Sequence, residues 1–193
     1  MVDISNNGSY TRIAPEGFIL YIRKILFKSI LMNILALSKF VSAGLGSGYS
    51  PVAPGTTGTL GGILFWILLF SIVPDSITNR VILIVACSLP GMLIVHHVIQ
   101  SMESPSVPTN HIDPSWIVLD EWAGIFITLL FTSTSNPIHI AAGFVFFRVF
   151  DISKPGPITY VESFGGAAGI MLDDILAGCF ALLLLEGCTA YVF

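Results

Sequence analysis

Charge is what this sequence has least of. Only 10% of its 193 residues are charged, 8 of them basic and 12 acidic, where ordinary soluble domains carry roughly 25%. With 54% of residues hydrophobic and a mean hydropathy of +0.86, there is too little polar surface to cover a core of this size in water. A soluble globular domain is thereby excluded. Cysteine is scarce as well. Cys87, Cys179 and Cys188 lie in apolar stretches, and no CxxC, metal-ligand spacing or even-numbered disulfide framework exists. The histidines, His96, His97, His111 and His139, include no ligand pair at i and i+4, so they read as interfacial or capping residues, His111 beside Asp113 being the one worth testing. A cleavable signal peptide is not expected, because Arg23, Lys24 and Lys28 interrupt the first apolar stretch.

What the chain does have is apolar runs, at about 59–73, 81–100, 116–132, 138–150 and 170–192. They predict an all-α polytopic membrane helical bundle of about five spans, although two of the runs fall short of the ~20 residues of a full helical crossing. Residues 18 to 40, with Lys28 inside and Lys39 at the end, are expected to form an amino-terminal interfacial helix. Residues 1–17 are then a polar tail and 18–193 a single membrane-embedded domain. Five of the eight basic residues precede the first long run, which places the amino terminus on the cytoplasmic side. Alternation of five spans then puts 41–58, 101–115 and 151–169 on that same side, with every polar or glycine-rich motif.

The acids sit where the apolar runs begin and end. Asp113-Pro114 reads as a helix cap followed by a first-turn proline. Asp120 and Glu121 would then lie about 10 Å along that helix, with Ala123 and Gly124 as a small face for a neighbouring helix. The last run repeats the pattern with Asp173, Asp174, Ala177 and Gly178. Arg148 and Asp151 stand three apart on one helical face, and Lys154-Pro155-Gly156-Pro157 ends that helix. Five acids thus meet two bases in one layer. A structural reading pairs Arg148 with Asp151 and leaves Asp113 and Asp173 as helix-start charges. Adjacent acids on two separate spans go beyond that reading, because a buried carboxylate must be paired, protonated or metal-bound. Hard oxygen donors without histidine or thiolate favour magnesium.

Residues 43–59, AGLGSGYSPVAPGTTGT, lack the lysine of a Walker loop and follow no dinucleotide-binding strand. They offer backbone N–H groups, hydroxyls and a helix start near Thr57, all suited to phosphate.

The segments SGYSPVAPGTTGTLGG, DPSWIVLDEWAG, GFVFFRVFDISKPGPI and GGAAGIMLDDILAG, in this order, resemble the phosphatidylglycerophosphatase A family. The resemblance runs from about Ala43 to Gly178. It implies a magnesium-dependent hydrolase that converts phosphatidylglycerol phosphate to phosphatidylglycerol and inorganic phosphate in a bacterial-type inner membrane. Its expected partners are that lipid and the bilayer, with no nucleic acid. Carried over by position, it implies catalytic Asp120, Glu121, Asp151, Asp173 and Asp174, with Asp120, Glu121, Asp173 and Asp174 as metal ligands. Ser50, Gly55, Thr56, Thr57, Arg148 and Lys154 are implied as phosphate-binding. The chain departs from the family at Gly156, where an aromatic is common, and at Thr159, where a basic residue is common.

With no CxxxxxR and no DxDxT motif in the sequence, metal-assisted attack by water is the expected chemistry, one carboxylate serving as general base, with an aspartyl-phosphate intermediate as the open alternative. The competing class is a non-enzymatic cation carrier or channel component. It would require polar residues through the full depth, and the runs Phe65 to Val73, Phe126 to Phe131 and Phe180 to Leu185 are almost wholly apolar. A CDP-alcohol phosphotransferase lacks its spaced aspartates here.

Overall fold

The computed structural model describes residues 2–4, 10–12, 15–103 and 113–192. His111 lies outside the described residues. Within the amino-terminal segment, β1 (Val2–Ile4) and β2 (Tyr10–Arg12) pair antiparallel, a short hairpin that the apolar pattern did not announce. The rest is helical: α1 (Pro15–Ser42), α2 (Pro54–Ile72), α3 (Ile77–Met102), α4 (Leu119–Thr128), α5 (Pro137–Ser153), α6 (Pro157–Glu162) and α7 (Gly166–Val192). The chain divides into two units, Met1–Leu37 and Ser38–Phe193.

Among the described residues, four helices are long and apolar enough to cross a membrane: Phe18–Ser42 in α1, then α2, α3 and Gly166–Ala190 in α7. Two expectations change. Residues 18 to 40 belong to a continuous helix with a 25-residue apolar span, which by length and composition is able to cross rather than only lie in the interface. The expected span at 116–132 contains a helix of just 10 residues, about 15 Å long. Asp113 does not cap it. The Val118 N–H donates to the Ser42 carbonyl at 2.9 Å, holding 113–118 out of the helix, so α4 begins at Leu119 and puts Asp120 and Glu121 in its first turn.

Short α4 is the centre of the second unit. Its Ala123, Ile125 and Thr128 are fully buried, and it crosses α7 at glycine on both sides. A Cβ on Gly178 would lie 2.3 Å from the Gly124 carbonyl oxygen, so neither helix has room for a methyl group there. Thr128 fastens the crossing by donating to the carbonyls of Gly124 at 3.0 Å and Gly178 at 3.3 Å. Such small-residue contacts let dispersion and hydrogen bonding hold helices together in lipid, where the hydrophobic effect offers no discrimination.

The turn between α2 and α3 and the turn between α4 and α5 meet at one end. Arg80 bonds Asp75 at 2.6 Å and donates to the Leu130 carbonyl at 2.8 Å, while Thr134 donates to Asp75 at 3.1 Å. The Arg80 guanidinium also stacks over Trp66, and its hydrogen bond holds the Asp75 carboxyl below the usual carboxylate range. The starts of α2, α4 and α7 and the end of α5 therefore gather at the opposite end.

Gly178→Ala is expected to cost about 1–3 kcal/mol through overpacking, read as a lower melting temperature in detergent micelles. Gly187→Ala, whose Cβ would meet nothing within 4 Å, is the matched control. Equal melting of the two variants would contradict the crossing.

Candidate active site

Three helix starts and one helix end frame a cavity of about 380 Å³. Helix α2 begins at Pro54, after Ala53 in the left-handed conformation (φ 47°), three residues earlier than Thr57, and Pro54 and Gly55 form one wall. Helix α4 contributes Asp120 and Glu121, and α7 contributes Asp173 and Asp174. It is entered through Gly165 (φ 69°) and Gly166 (φ 57°), left-handed positions where glycine carries no steric penalty. Asp151 and Lys154 come from the end of α5. Lys154 is itself left-handed (φ 42°) and its N–H closes the helix onto the Phe150 carbonyl. Each helix start presents unsatisfied N–H groups and positive partial charge, so the cavity floor is suited to acidic side chains and to anions.

The two bases are already engaged. Arg148 stands behind the cavity, 3.2 Å from Glu121 and 2.5 Å from Asp151. Thr59 donates to Glu121 at 3.3 Å and to the Gly55 carbonyl at 2.9 Å. A Cβ on Gly55 would lie 2.4 Å from Glu121 Oε1, so a side chain at that position would displace the ion pair. Lys154 bridges Asp173 at 2.8 Å and Glu162 at 2.5 Å. Burial works against its charge, but the two carboxylates outweigh it and raise its pKa above the ordinary lysine value. Asp120 and Asp174 are only 8% and 4% exposed, and neither enters a salt bridge among the described residues. Asp120 Oδ1 has no hydrogen-bond partner among the described residues.

The five acids expected from sequence all line the cavity, as do Gly55 and Lys154. Ser50, Thr56 and Thr57 do not. The Ser50 hydroxyl turns back to the Val52 carbonyl at 2.8 Å, and the Thr57 hydroxyl donates to the carbonyls of Pro54 and Ser47 at 2.9 and 3.1 Å, closing the loop. Sequence reasoning missed Glu162, which lies beyond the helix-breaking prolines and reaches Lys154 only because α6 folds back. It also left Asp113 as a cap, whereas Asp113 and Ser115 line the cavity. Among the described residues, no three His, Cys, Asp or Glu side chains stand close enough to form a ready-made metal cage.

Fold and cavity define a helical membrane protein with an acid-rich site at one end of its bundle. The sequence profile described as Phosphatidylglycerophosphatase A matches residues 40–188, and the chain belongs to that family. It is 37% identical to phosphatidylglycerophosphatase A of Escherichia coli over 72% of this chain and 75% of that protein. Identity to phosphatidylglycerophosphatase A of Haemophilus influenzae is 34%, over 83% of this chain and 91% of that protein. A Bacteroides thetaiotaomicron protein named "Putative phosphatidylinositol-3-phosphatase" is 33% identical over 77% of this chain and 91% of its own length. No solved structure matches the chain.

Removing one partner from a buried ion pair strands the other charge, at a cost of about 3–5 kcal/mol. Arg148→Met is therefore expected to lower the melting temperature in micelles sharply, and Glu121→Gln added to it to recover part of the loss. Additive losses in the double variant would contradict the pairing.

Proposed function

We propose that this chain is a lipid phosphatase that hydrolyses phosphatidylglycerol phosphate to phosphatidylglycerol and inorganic phosphate, with magnesium as cofactor. The reading is carried by the buried Asp120 Oδ1, unpartnered among the described residues, in a cavity whose seven acids, Asp113, Asp120, Glu121, Asp151, Glu162, Asp173 and Asp174, meet among the described residues just two cations, Lys154 in the wall and Arg148 behind it. A phosphate monoester would add still more negative charge. The donor set fits magnesium, which needs only one or two carboxylates beside waters and substrate phosphate, so the lack of a three-residue cage is no obstacle. Asp120 and Asp174, with Glu121 and Asp173 flanking them, are the residues that would hold it.

When bound, magnesium would neutralise phosphate oxygens and acidify water. The chain's own groups do the rest. The first N–H group of α2, that of Gly55 after the donor-less Pro54, donates to a phosphate oxygen at a helix start. Lys154 contributes a cation at the cavity wall, and Arg148 holds Glu121 and Asp151 in place behind it. A cavity carboxylate left out of the ion pairs takes the proton of the attacking water. The acyl chains stay in the bilayer, so only the headgroup has to be bound and its local concentration is high.

Among the described residues of the second unit, the basic residues Lys39, Arg148 and Lys154 lie in or next to the segments that frame the cavity, while the opposite end carries only the paired Arg80. This asymmetry supports a cytoplasmic-face site in a bacterial-type inner membrane. A cation carrier is disfavoured by the core beyond the cavity, where Phe126, Leu129, Phe147, Met171 and Leu185 are fully or almost fully buried.

Phosphate release in mixed micelles tests the proposal. Turnover of phosphatidylglycerol phosphate is expected to exceed that of glycerol 3-phosphate by about 100-fold or more, the scale of effective-concentration gains, and to vanish with EDTA. Faster turnover of phosphatidylinositol 3-phosphate would transfer the assignment to another headgroup. Equal hydrolysis of soluble monoesters, or full activity in EDTA, would overturn the mechanism.

A further inference from the structure

Helix α6 grips Lys154 at both ends. The Thr159 hydroxyl donates to the Lys154 backbone carbonyl at 2.6 Å, and Glu162, three residues further along α6, accepts from its ammonium at 2.5 Å. Between these two contacts the Lys154 backbone is left-handed, φ 42°, a conformation that a side chain bearing Cβ adopts only when its surroundings compel it. Pro155 and Pro157 stiffen the connection from Lys154 into α6. The helix is in turn seated on α7. A Cβ on Gly169 of α7 would come within 2.7 Å of the Glu162 carbonyl oxygen, which also accepts from the Gly165 N–H of the intervening turn at 3.0 Å. The Ile158 side chain is fully buried beneath it.

We propose that α6 is a positioning clamp for Lys154, in which Thr159 fixes the lysine backbone and Glu162 steers its ammonium toward Asp173 at the cavity wall. Neither residue is a catalytic group. Both act through Lys154, and the inference rests on the reading of Lys154 as a phosphate contact. A lysine side chain has several freely rotating bonds and loses much entropy when held in one position. A clamp that meets this cost within the folded chain leaves less to be met when phosphate arrives. The short helix thus has a role that its length and exposure alone would not suggest.

The test needs two readouts, one of them independent of turnover. A lysine NH3+ group held by two carboxylates exchanges its protons slowly and gives its own 1H–15N signal in micelles, identified by its loss in Lys154→Met. That signal is expected to persist in Thr159→Ser, which keeps the hydroxyl, and to shift or disappear in Thr159→Val and Glu162→Gln. A signal unchanged in Thr159→Val overturns the clamp, whether or not the chain turns over lipid. In the kinetic arm, Thr159→Val is expected to lower kcat/KM roughly 3- to 10-fold, the scale of one hydrogen bond, mainly through KM, and Thr159→Ser to restore it. Combined with Lys154→Met, Thr159→Val is expected to cause no further loss, because it acts only through the lysine. Equal losses in both backgrounds would show a merely structural residue and overturn the clamp. Loss of the NH3+ signal as expected, in a chain whose wild type releases no phosphate from any lipid phosphate, would sustain the clamp and defeat the phosphatase reading.

Discussion

A carboxylate taken out of water costs several kcal/mol unless it is paired, protonated or bound to a metal. Asp120, Glu121, Asp173 and Asp174 are all buried where α4 starts beside α7, so this cost governs the arrangement around them. Two of the four are neutralised in place, Glu121 by Arg148 and Asp173 by Lys154. Among the described residues the other two have no countercharge: Asp120 receives only the weak help of the α4 start, worth less than about 2 kcal/mol, and Asp174, two turns into α7, lies beyond the first turn of its own helix. A pair of carboxylates left in that condition is a poor choice for stability and a good one for holding a hard cation and a phosphate.

Glycine makes the arrangement possible by bringing backbones together. Gly124 and Gly178 let α4 and α7 cross in contact, which sets the two acidic pairs at the same depth. Gly55 brings the start of α2 against Glu121, so that a helix start, an ion pair and the acid layer share one small volume. At the far end, Arg80, Asp75, Thr134 and the Leu130 carbonyl hold the opposite turns together. Apolar side chains fill the space between the two polar ends.

Much of this was legible because it is local. The acid pairs with their small faces at i+3 and i+4, the Arg148–Asp151 spacing, and the helix break at Lys154 all follow from helical periodicity and from proline. What escaped is mostly long-range, the exceptions being the local hydroxyl contacts of Ser50 and Thr57. Asp113-Pro114 has every mark of a helix cap, but the bond from Val118 to Ser42 lies outside any local pattern, and it shortens α4 to 10 residues. Glu162 sits in an unremarkable stretch and becomes a partner of Lys154 only through the fold of α6. Ser50 and Thr57 look like phosphate ligands beside glycines, yet their hydroxyls satisfy nearby carbonyls. The 18–40 stretch was drawn to the interface by its lysines, while the continuous α1 also contains a span of crossing length.

On the proposed reading the acids of α4 and α7 left out of the ion pairs hold a divalent cation, and binding measures this without reference to turnover. Manganese, titrated into the micelle-embedded protein and followed by its paramagnetic resonance, is expected to bind saturably and to be displaced by magnesium. Binding should be lost in Asp120→Asn and Asp174→Asn, whose amides keep the shape without the charge. Absence of saturable binding in the wild type, or binding unchanged in both variants, would contradict the account.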